Sequence, residues 1–277
     1  MKNTKHTAIA LLIAATAIPM TLAMPSMANP NESAQATAVA EPTMDAKAKK
    51  VWDRAIEVGM AKNADEEWIK SIRMVGTMSM PSQGITADMN ILMVPETGMR
   101  LTMTIPGMGS FNQGVLGDVV WSSDMMSGPK ILDGEESAQL LKEMDLYADV
   151  HWEDYFQSIT YTGEEAIEMP DGTAVKTQVL ELTAIDTGDV STRYYDIETG
   201  HAVKVMAIAE IPGGGKVPTT TYNSDFREVS GVTMAFTNTV STGPMQQIIE
   251  FSDIQINGEF EESDLALPED VAELLED

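Results

Sequence analysis

Residues able to do acid–base, nucleophilic or metal chemistry are sparse and scattered in this sequence. Only two of its three histidines, His151 and His201, lie beyond the first 28 residues. The chain has no cysteine, no His-Glu-x-x-His run and no Gly-x-Ser-x-Gly elbow. A thiol nucleophile is therefore excluded, and the usual zinc and serine-hydrolase sites have no support. We expect no enzyme activity, no metal and no cofactor.

Two further motifs have structural explanations. Asp133, followed by Glu135 and Glu136, could supply carboxylates, but these residues also suit the first turn of a helix, where an N-cap and negative charge are favourable. Gly213-Gly214-Gly215-Lys216 resembles a phosphate loop superficially. Val217-Pro218 follow it where a Ser or Thr and a helix would be needed, so we interpret it as a hairpin loop.

The chemistry that the sequence favours is apolar binding by methionine. Ten of the 21 methionines lie between Ile72 and Met126, mostly at alternate positions of short runs that predict β-strands. Methionine is unbranched and adaptable, so it suits a surface that accepts varied apolar shapes. The alternation fits either an ordinary packed core or a face that lines a ligand cavity.

Charge and the amino end limit the partners. The formal net charge is −26, which disfavours nucleic acid and anionic lipid surfaces as partners. A basic start, an apolar run over 8–23 and Ser26-Met27-Ala28 predict a cleavable signal peptide. We predict cleavage before Asn29 and a periplasmic product without stable membrane insertion. The expected divisions are a signal peptide (1–28), a flexible linker (29–43), one domain (44–268) and an acidic tail (269–277).

The order of elements predicts a mainly β (α+β) fold. An amphipathic helix over 44–60 precedes the methionine runs, a helical insert covers 133–157, and further strands with regular turn signals follow to residue 256. Ser127-Gly128-Pro129 is expected to be a loop. We predict an incomplete antiparallel β-barrel of about 11 strands, with the N-terminal helix and the helical insert covering its open side.

Several stretches resemble the LolA/LolB-like superfamily of periplasmic lipoprotein carriers and lipid-binding domains. These stretches are the turn and strand start Met93-Val94-Pro95-Glu96-Thr97-Gly98-Met99-Arg100, the strand Gly117-Asp118-Val119-Val120-Trp121, and the closing segments Tyr222 to Phe236, Phe251 to Ile256 and Phe260 to Pro268. The resemblance spans most of 44–268. Position 235 is Ala where the family pattern usually has Pro.

The resemblance implies an apolar cavity for acyl chains and a carrier of lipid or lipidated protein, monomeric, with an envelope protein as possible donor or acceptor. It also suggests Arg100 as the residue that holds the helical lid, although the alternation Met99, Leu101, Met103 places Arg100 on the opposite face. An envelope lipid sensor and a filled structural barrel are the alternatives, and a hydrolase comes last. The residues expected to line the cavity are Met74, Met78, Met80, Met89, Ile91, Met93, Leu101, Met103, Trp121, Met125, Met126, Leu141 and Met144.

Overall fold

The computed structural model describes residues 41–59, 68–125, 127–211 and 215–276. The expected signal peptide, most of the expected linker, Met126 and the two glycines at 213–214 lie outside the described residues. Within the described ranges, no helix combines the length and apolar character needed to cross a bilayer.

One large sheet of 14 strands dominates the fold. The strands are β1 (Thr43–Met44), β2 (Ile72–Met80), β3 (Ile85–Val94), β4 (Gly98–Ile105), β5 (Gly109–Leu116), β6 (Val119–Asp124), β7 (Gly128–Ile131), β8 (Phe156–Glu168), β9 (Ala174–Ala184), β10 (Val190–Asp196), β11 (Ala202–Ile211), β12 (Gly215–Val229), β13 (Val232–Thr242) and β14 (Met245–Ile256). The helices are α1 (Ala46–Gly59), α2 (Gly134–Glu143), α3 (Trp152–Tyr155) and α4 (Glu269–Glu273).

The sheet is an unclosed antiparallel meander, as predicted. Its spatial order is β1-β8-β9-β10-β11-β12-β13-β14-β2-β3-β4-β5-β6-β7. Among the strands of the described residues, only the two-residue β1 runs parallel to its neighbour. The last long strand, β14, therefore pairs with β2, near the start of the described chain. The chain between the edge strand β7 and β8 carries α2 and α3, so the predicted helical insert interrupts the meander between its two edges.

The strand count exceeds the prediction partly because Gly128 and Pro129 belong to β7, where a loop was expected. The loop prediction was wrong because the missing N–H of a proline removes a hydrogen bond only where that position faces a neighbouring strand. An edge strand such as β7 tolerates it. The helical content is lower than predicted, because the insert is shorter than expected and turns separate α2 from α3.

The two faces of the β2–β4 hairpins differ in burial. On one face, which we call the inner face, the registers join Met78 to Ala87, Gly76 to Met89 and Met89 to Met103. Residues at the alternate positions form the outer face. The predicted period of two is confirmed in the burial of β2, whose inner-face side chains are buried while the others are partly or fully exposed.

The C-terminal segment covers part of the outer face. Arg73 Nη2 donates to Asp264 Oδ2 at 2.6 Å, and Ser123 Oγ donates to Asp270 Oδ2 at 2.9 Å. Leu265 is buried against the outer-face residues Leu92 and Val94. The expected acidic tail begins with α4, whose Val271 is fully buried. Both faces of the sheet are thus apolar in this region.

Candidate ligand-binding site

The inner face carries a continuous apolar cluster rich in methionine. Met74, Met78 and Met103 are at most 1% exposed. Of the predicted lining residues, the inner face brings together Met74, Met78, Met80, Met89, Ile91, Met93, Leu101 and Met103. The cluster continues across β13 and β14 through Val232, Met234, Phe236, Ile249, Phe251, Ile254 and Ile256, none of which we had predicted as site residues, although they show the same alternation.

A helical cover lies on this side of the sheet, and we use that name for α1 together with residues 132–155. The buried residues of α1 pack against β8, β9 and β10, and its Ile56 reaches the methionine cluster. Leu140 of α2 and the following Leu146 and Tyr147 are buried in the methionine cluster, and Met144 packs against it. The spacing of Leu140, Met144 and Tyr147 is that of one helical face, so the sequence held the signal for Leu140. The predicted Leu141 is 46% exposed and points away from the cluster.

Two other predicted lining residues also lie elsewhere. Trp121 is fully buried, but Val120 is the β6 residue that joins the methionine cluster, so Trp121 lies on the outer face. It pairs with Gly114 and lies 5.8 Å from the guanidinium of Arg100. Met125 is 76% exposed in the turn after β6. The expectation that Trp121 and Met125 face the interior is therefore wrong.

Arg100 also lies on the outer face, as its alternation indicated. Its Nη1 donates to the carbonyl oxygen of Ala266 at 3.4 Å. Arg100 thus contacts the C-terminal segment and not the helical cover. The lid-holding role that the resemblance suggested does not fit this position.

The helical cover is attached to the sheet through Asp149. Arg193 Nη1, on β10, donates to Asp149 Oδ1 at 2.8 Å, and Trp52 Nε1, on α1, donates to the carbonyl oxygen of Asp149 at 2.9 Å. The Arg193 guanidinium lies 5.1 Å from the Trp52 ring and 5.4 Å from the Phe156 ring. These contacts join α1, the insert and β10 at one buried point. No local pattern in the sequence could have indicated this pairing.

Charge at this point is balanced within the protein. Burial alone would lower the pKa of Arg193. The carboxylate of Asp149 and the hydroxyl of Tyr195 raise it by more, so the net pKa lies above its ordinary value. Burial raises the pKa of Tyr195 to about 12. Arg193 is therefore charged and paired, and Tyr195 is a neutral hydroxyl.

The N-terminus of α1 is fixed separately. Asp45 Oδ1 accepts hydrogen bonds from the backbone N–H groups of Lys47 and Ala48 at 2.8 and 2.9 Å, and its Oδ2 accepts one from the N–H of Tyr161 on β8 at 2.6 Å. The bonds from Ala48 and Tyr161 lower the pKa of Asp45. Asp45 is both the helix cap and the link from α1 to the sheet.

Two concavities border the inner and outer faces. One, of about 70 Å³, lies between the C-terminal end of α1 and β11–β14, and includes Met234 and Phe251 of the methionine cluster. The other, of about 570 Å³, is a trough on the outer face beside Thr77, Asp88 and Glu250. The trough is the larger, but it is an open surface whose lining includes the acidic Asp88 and Glu250, so it suits acyl chains less well than the apolar inner face. Among the described residues, no group of three or more His, Cys, Asp or Glu side chains could hold a metal ion.

Comparison with known proteins gives a likeness of fold. No protein-family model and no curated protein sequence matches the chain. An outer membrane lipoprotein-sorting protein domain from Vibrio parahaemolyticus superposes with a TM-score of 0.51 at 16% identity, covering 79% of this chain and 97% of that one. A DUF1329 family protein from Desulfovibrio piger gives 0.52 at 12% identity, over 79% and 99%. A LolA superfamily protein from Nitrosomonas europaea gives 0.49 at 13% identity, over 79% and 97%.

At these identities the likeness establishes the fold alone. The chain has an open, mainly antiparallel sheet and shares its fold with the lipoprotein-sorting domain, which confirms the fold that the resemblance in sequence predicted.

Proposed function

We propose that this protein is a non-enzymatic periplasmic carrier that binds the acyl chains of a lipid or a lipid-modified protein, without a covalent bond, between the inner face and the helical cover. It is exported through cleavage of residues 1–28, and residues 44–268 form one monomeric binding domain that exchanges its ligand with an envelope donor or acceptor. The observation that carries the proposal is the continuous methionine-rich inner face beneath a cover made of separate segments.

The composition of the inner face supports loading and release. Methionine has three rotatable side-chain bonds and a polarisable sulfur, so a methionine wall re-forms around a guest at a lower cost than a wall of branched side chains. Met74, Met78, Met89 and Met103 pack together when the cover is closed. In the loaded state their side chains move apart, and an acyl chain takes the space between them and the cover.

The volume of the closed state supports a moving cover. The cavity of about 70 Å³ beside Met234 and Phe251 is well below the roughly 300–1,000 Å³ of ordinary ligand pockets. An acyl chain therefore enters only when α2 and the segment after it move away from the inner face. The ion pair between Arg193 and Asp149 holds that segment and sets the cost of moving it.

The energetics allow such an exchange. Each buried CH₂ contributes about 0.8 kcal/mol, so a chain of about 16 carbons gives a gross transfer energy of roughly 12 kcal/mol. Association costs of roughly 4–15 kcal/mol offset much of that gain. Net affinity then depends on how completely the helical cover closes over the chain.

Displacement of an apolar dye tests the proposal. Delipidated protein is loaded with N-phenylnaphthylamine, whose fluorescence rises in apolar surroundings, and titrated with monopalmitoylglycerol. We expect saturable binding and competitive displacement. Failure of the dye and of every acyl ligand to bind would contradict the proposal.

Matched variants locate the site. Met103→Phe places a rigid aromatic ring at the centre of the inner face. The ring excludes about two methylenes of the acyl chain, so Kd rises roughly tenfold. Met108→Phe, at a position 61% exposed in the β4–β5 turn, is the control and leaves Kd unchanged. Circular dichroism and urea unfolding establish that both variants are folded.

A further inference from the structure

A small cavity with polar and apolar walls adjoins the methionine cluster at the C-terminal end of α1. Its volume is about 70 Å³, and its walls include Met234 and Phe251 on the apolar side. One water molecule needs roughly 10–15 Å³ of such space, so the cavity accepts a group of several heavy atoms. It is large enough for the head of an acyl ligand but not for its chain.

Two buried asparagines form the polar wall. Asn223 and Asn238 are 5% and 4% exposed, and both line the cavity. Asn238 Nδ2 donates to Asn223 Oδ1 at 2.9 Å, and Asn223 Nδ2 donates to the carbonyl oxygen of Ala202 at 2.9 Å. A ligand group that enters the cavity can exchange hydrogen bonds with this pair of amides, and a polar group that leaves water needs such partners.

The one carboxylate among the described residues that line the cavity is already paired. Asp149 lines it, and its carboxylate is paired with Arg193. His201 also lines it, and burial lowers the pKa of His201, so its ring is neutral at pH 7. Arg54 is not one of the lining residues. Its guanidinium donates to the carbonyl oxygens of Ile197 and Glu198 at 2.7 and 2.6 Å, and the charge of Asp196 opposes its effect on the pKa of His201.

An anionic head would therefore lose its water without gaining a counter-charge. Transfer of an unpaired charge from water into such a site is strongly unfavourable, whereas a neutral hydroxyl, ester or amide loses little if it finds hydrogen-bond partners. The cavity offers such partners in the amide groups of Asn238 and Asn223 and the hydroxyl of Tyr195.

We propose that this cavity is the head-group subsite of the acyl-chain site, and that it takes an uncharged, hydrogen-bonding head such as a glyceryl ester or an N-acyl amide. The proposal rests on the carrier function proposed above. It adds a selection rule, because phosphate- and carboxylate-bearing lipids with the same chain bind more weakly. The chain then passes from Asn238 across Met234 and Phe251 onto the inner face.

Competition by ligands with one chain and different heads tests the selection rule. Monopalmitoylglycerol, palmitate and palmitoyl lysophosphatidylglycerol each displace N-phenylnaphthylamine from the full mature chain at pH 8, below their micellar concentrations. The neutral glyceride is expected to compete at a concentration at least about tenfold lower than either anion, the factor that one to two net hydrogen bonds provide. Equal competition, or preference for an anion, would overturn the subsite.

Variants of the asparagine wall assign the preference to the cavity. Asn238→Leu keeps the branched shape of the side chain and removes the amide, so the preference for the glyceride should fall about tenfold. Asn238→Ser, which supplies a hydroxyl in place of the amide, gives an intermediate value and serves if the leucine variant does not fold. Asn90→Leu, at an exposed outer-face position, retains the wild-type preference.

The outcomes separate the two proposals. Dye and acyl ligands that do not bind at all contradict the carrier function itself. Acyl ligands that bind without regard to the head, or a preference that survives Asn238→Leu, contradict the subsite alone.

Discussion

Replacement of Arg193 by methionine tests how the helical cover is held. The side chains of Arg193 and Asp149 are 10% and 9% exposed, and their ion pair spans 2.8 Å. Methionine retains much of the aliphatic length of arginine but leaves the carboxylate of Asp149 buried without its partner. Breaking a buried pair in this way costs about 3–5 kcal/mol, and loss of the contacts with the Trp52 and Phe156 rings adds about 0.5–1 kcal/mol each.

The double variant isolates the cause of that loss. Asp149→Asn in the Arg193→Met background removes the unpaired charge and keeps the backbone carbonyl that accepts from Trp52. The double variant should therefore recover most of the lost free energy of unfolding. Urea unfolding of the wild type, both single variants and the double variant gives the coupling energy, and stopped-flow release of N-phenylnaphthylamine gives the rate at which the cover opens. Arg193→Met should release the dye at least about tenfold faster, since 1.4 kcal/mol already gives that factor.

Two results would refute this reasoning. The first is a loss of less than about 1 kcal/mol in Arg193→Met, the range of an exposed pair, with an unchanged release rate. The second is a double variant as unstable as the single one, because the cost would then come from packing and not from the buried charge.

Two further substitutions have expected outcomes. Burial and the charge of Arg54 lower the pKa of His201 more than Asp196 raises it. The unfolded chain therefore binds a proton near pH 6.5, whereas the folded chain binds it only at lower pH. The free energy of unfolding is constant above about pH 6.5 and declines below it. His201→Gln should remove this part of the decline in urea unfolding between pH 7.5 and about 5.5, and an unchanged pH dependence would count against it. At Gly76 an added Cβ would lie 2.2 Å from the carbonyl oxygen of Glu250, whereas at Gly258 it would meet only the flexible Gln255 side chain at 3.1 and 3.6 Å. Gly76→Ala should therefore lower the free energy of unfolding by about 1–3 kcal/mol, and Gly258→Ala should lower it by much less. Equal urea midpoints for the two variants would refute the close approach of β2 and β14.

The inner face could be predicted from the sequence because its signal is local. Met74, Met78, Met89 and Met103 alternate with polar residues, and a side-chain period of two assigns all of them to one face once one is assigned. The same rule correctly put Arg100 on the opposite face.

The orientation of the β6 residues and the attachment of the helical cover depend on contacts between distant parts of the chain, which the pattern of a single strand does not encode. In β6, Val119, Val120 and Trp121 are all apolar, so alternation could not decide which of them faces inward. The C-terminal segment covers part of the outer face, so Trp121 is buried there while Val120 is buried on the inner face. The pairing of Arg193 with Asp149 joins positions 44 residues apart, with no spacing rule to connect them.

The most direct test of the central claim observes the methionines themselves. Protein labelled with ¹³C at the methionine methyl groups is titrated with a methyl stearate that carries a nitroxide near its chain end, which broadens nearby methyl signals in NMR spectra. If acyl chains lie between the inner face and the helical cover, the signals of Met74, Met78, Met89 and Met103 broaden, while those of the exposed Met108 and Met245, 61% and 43% exposed, stay sharp. Broadening confined to Met108 and Met245, or none at saturating ligand, would contradict the account.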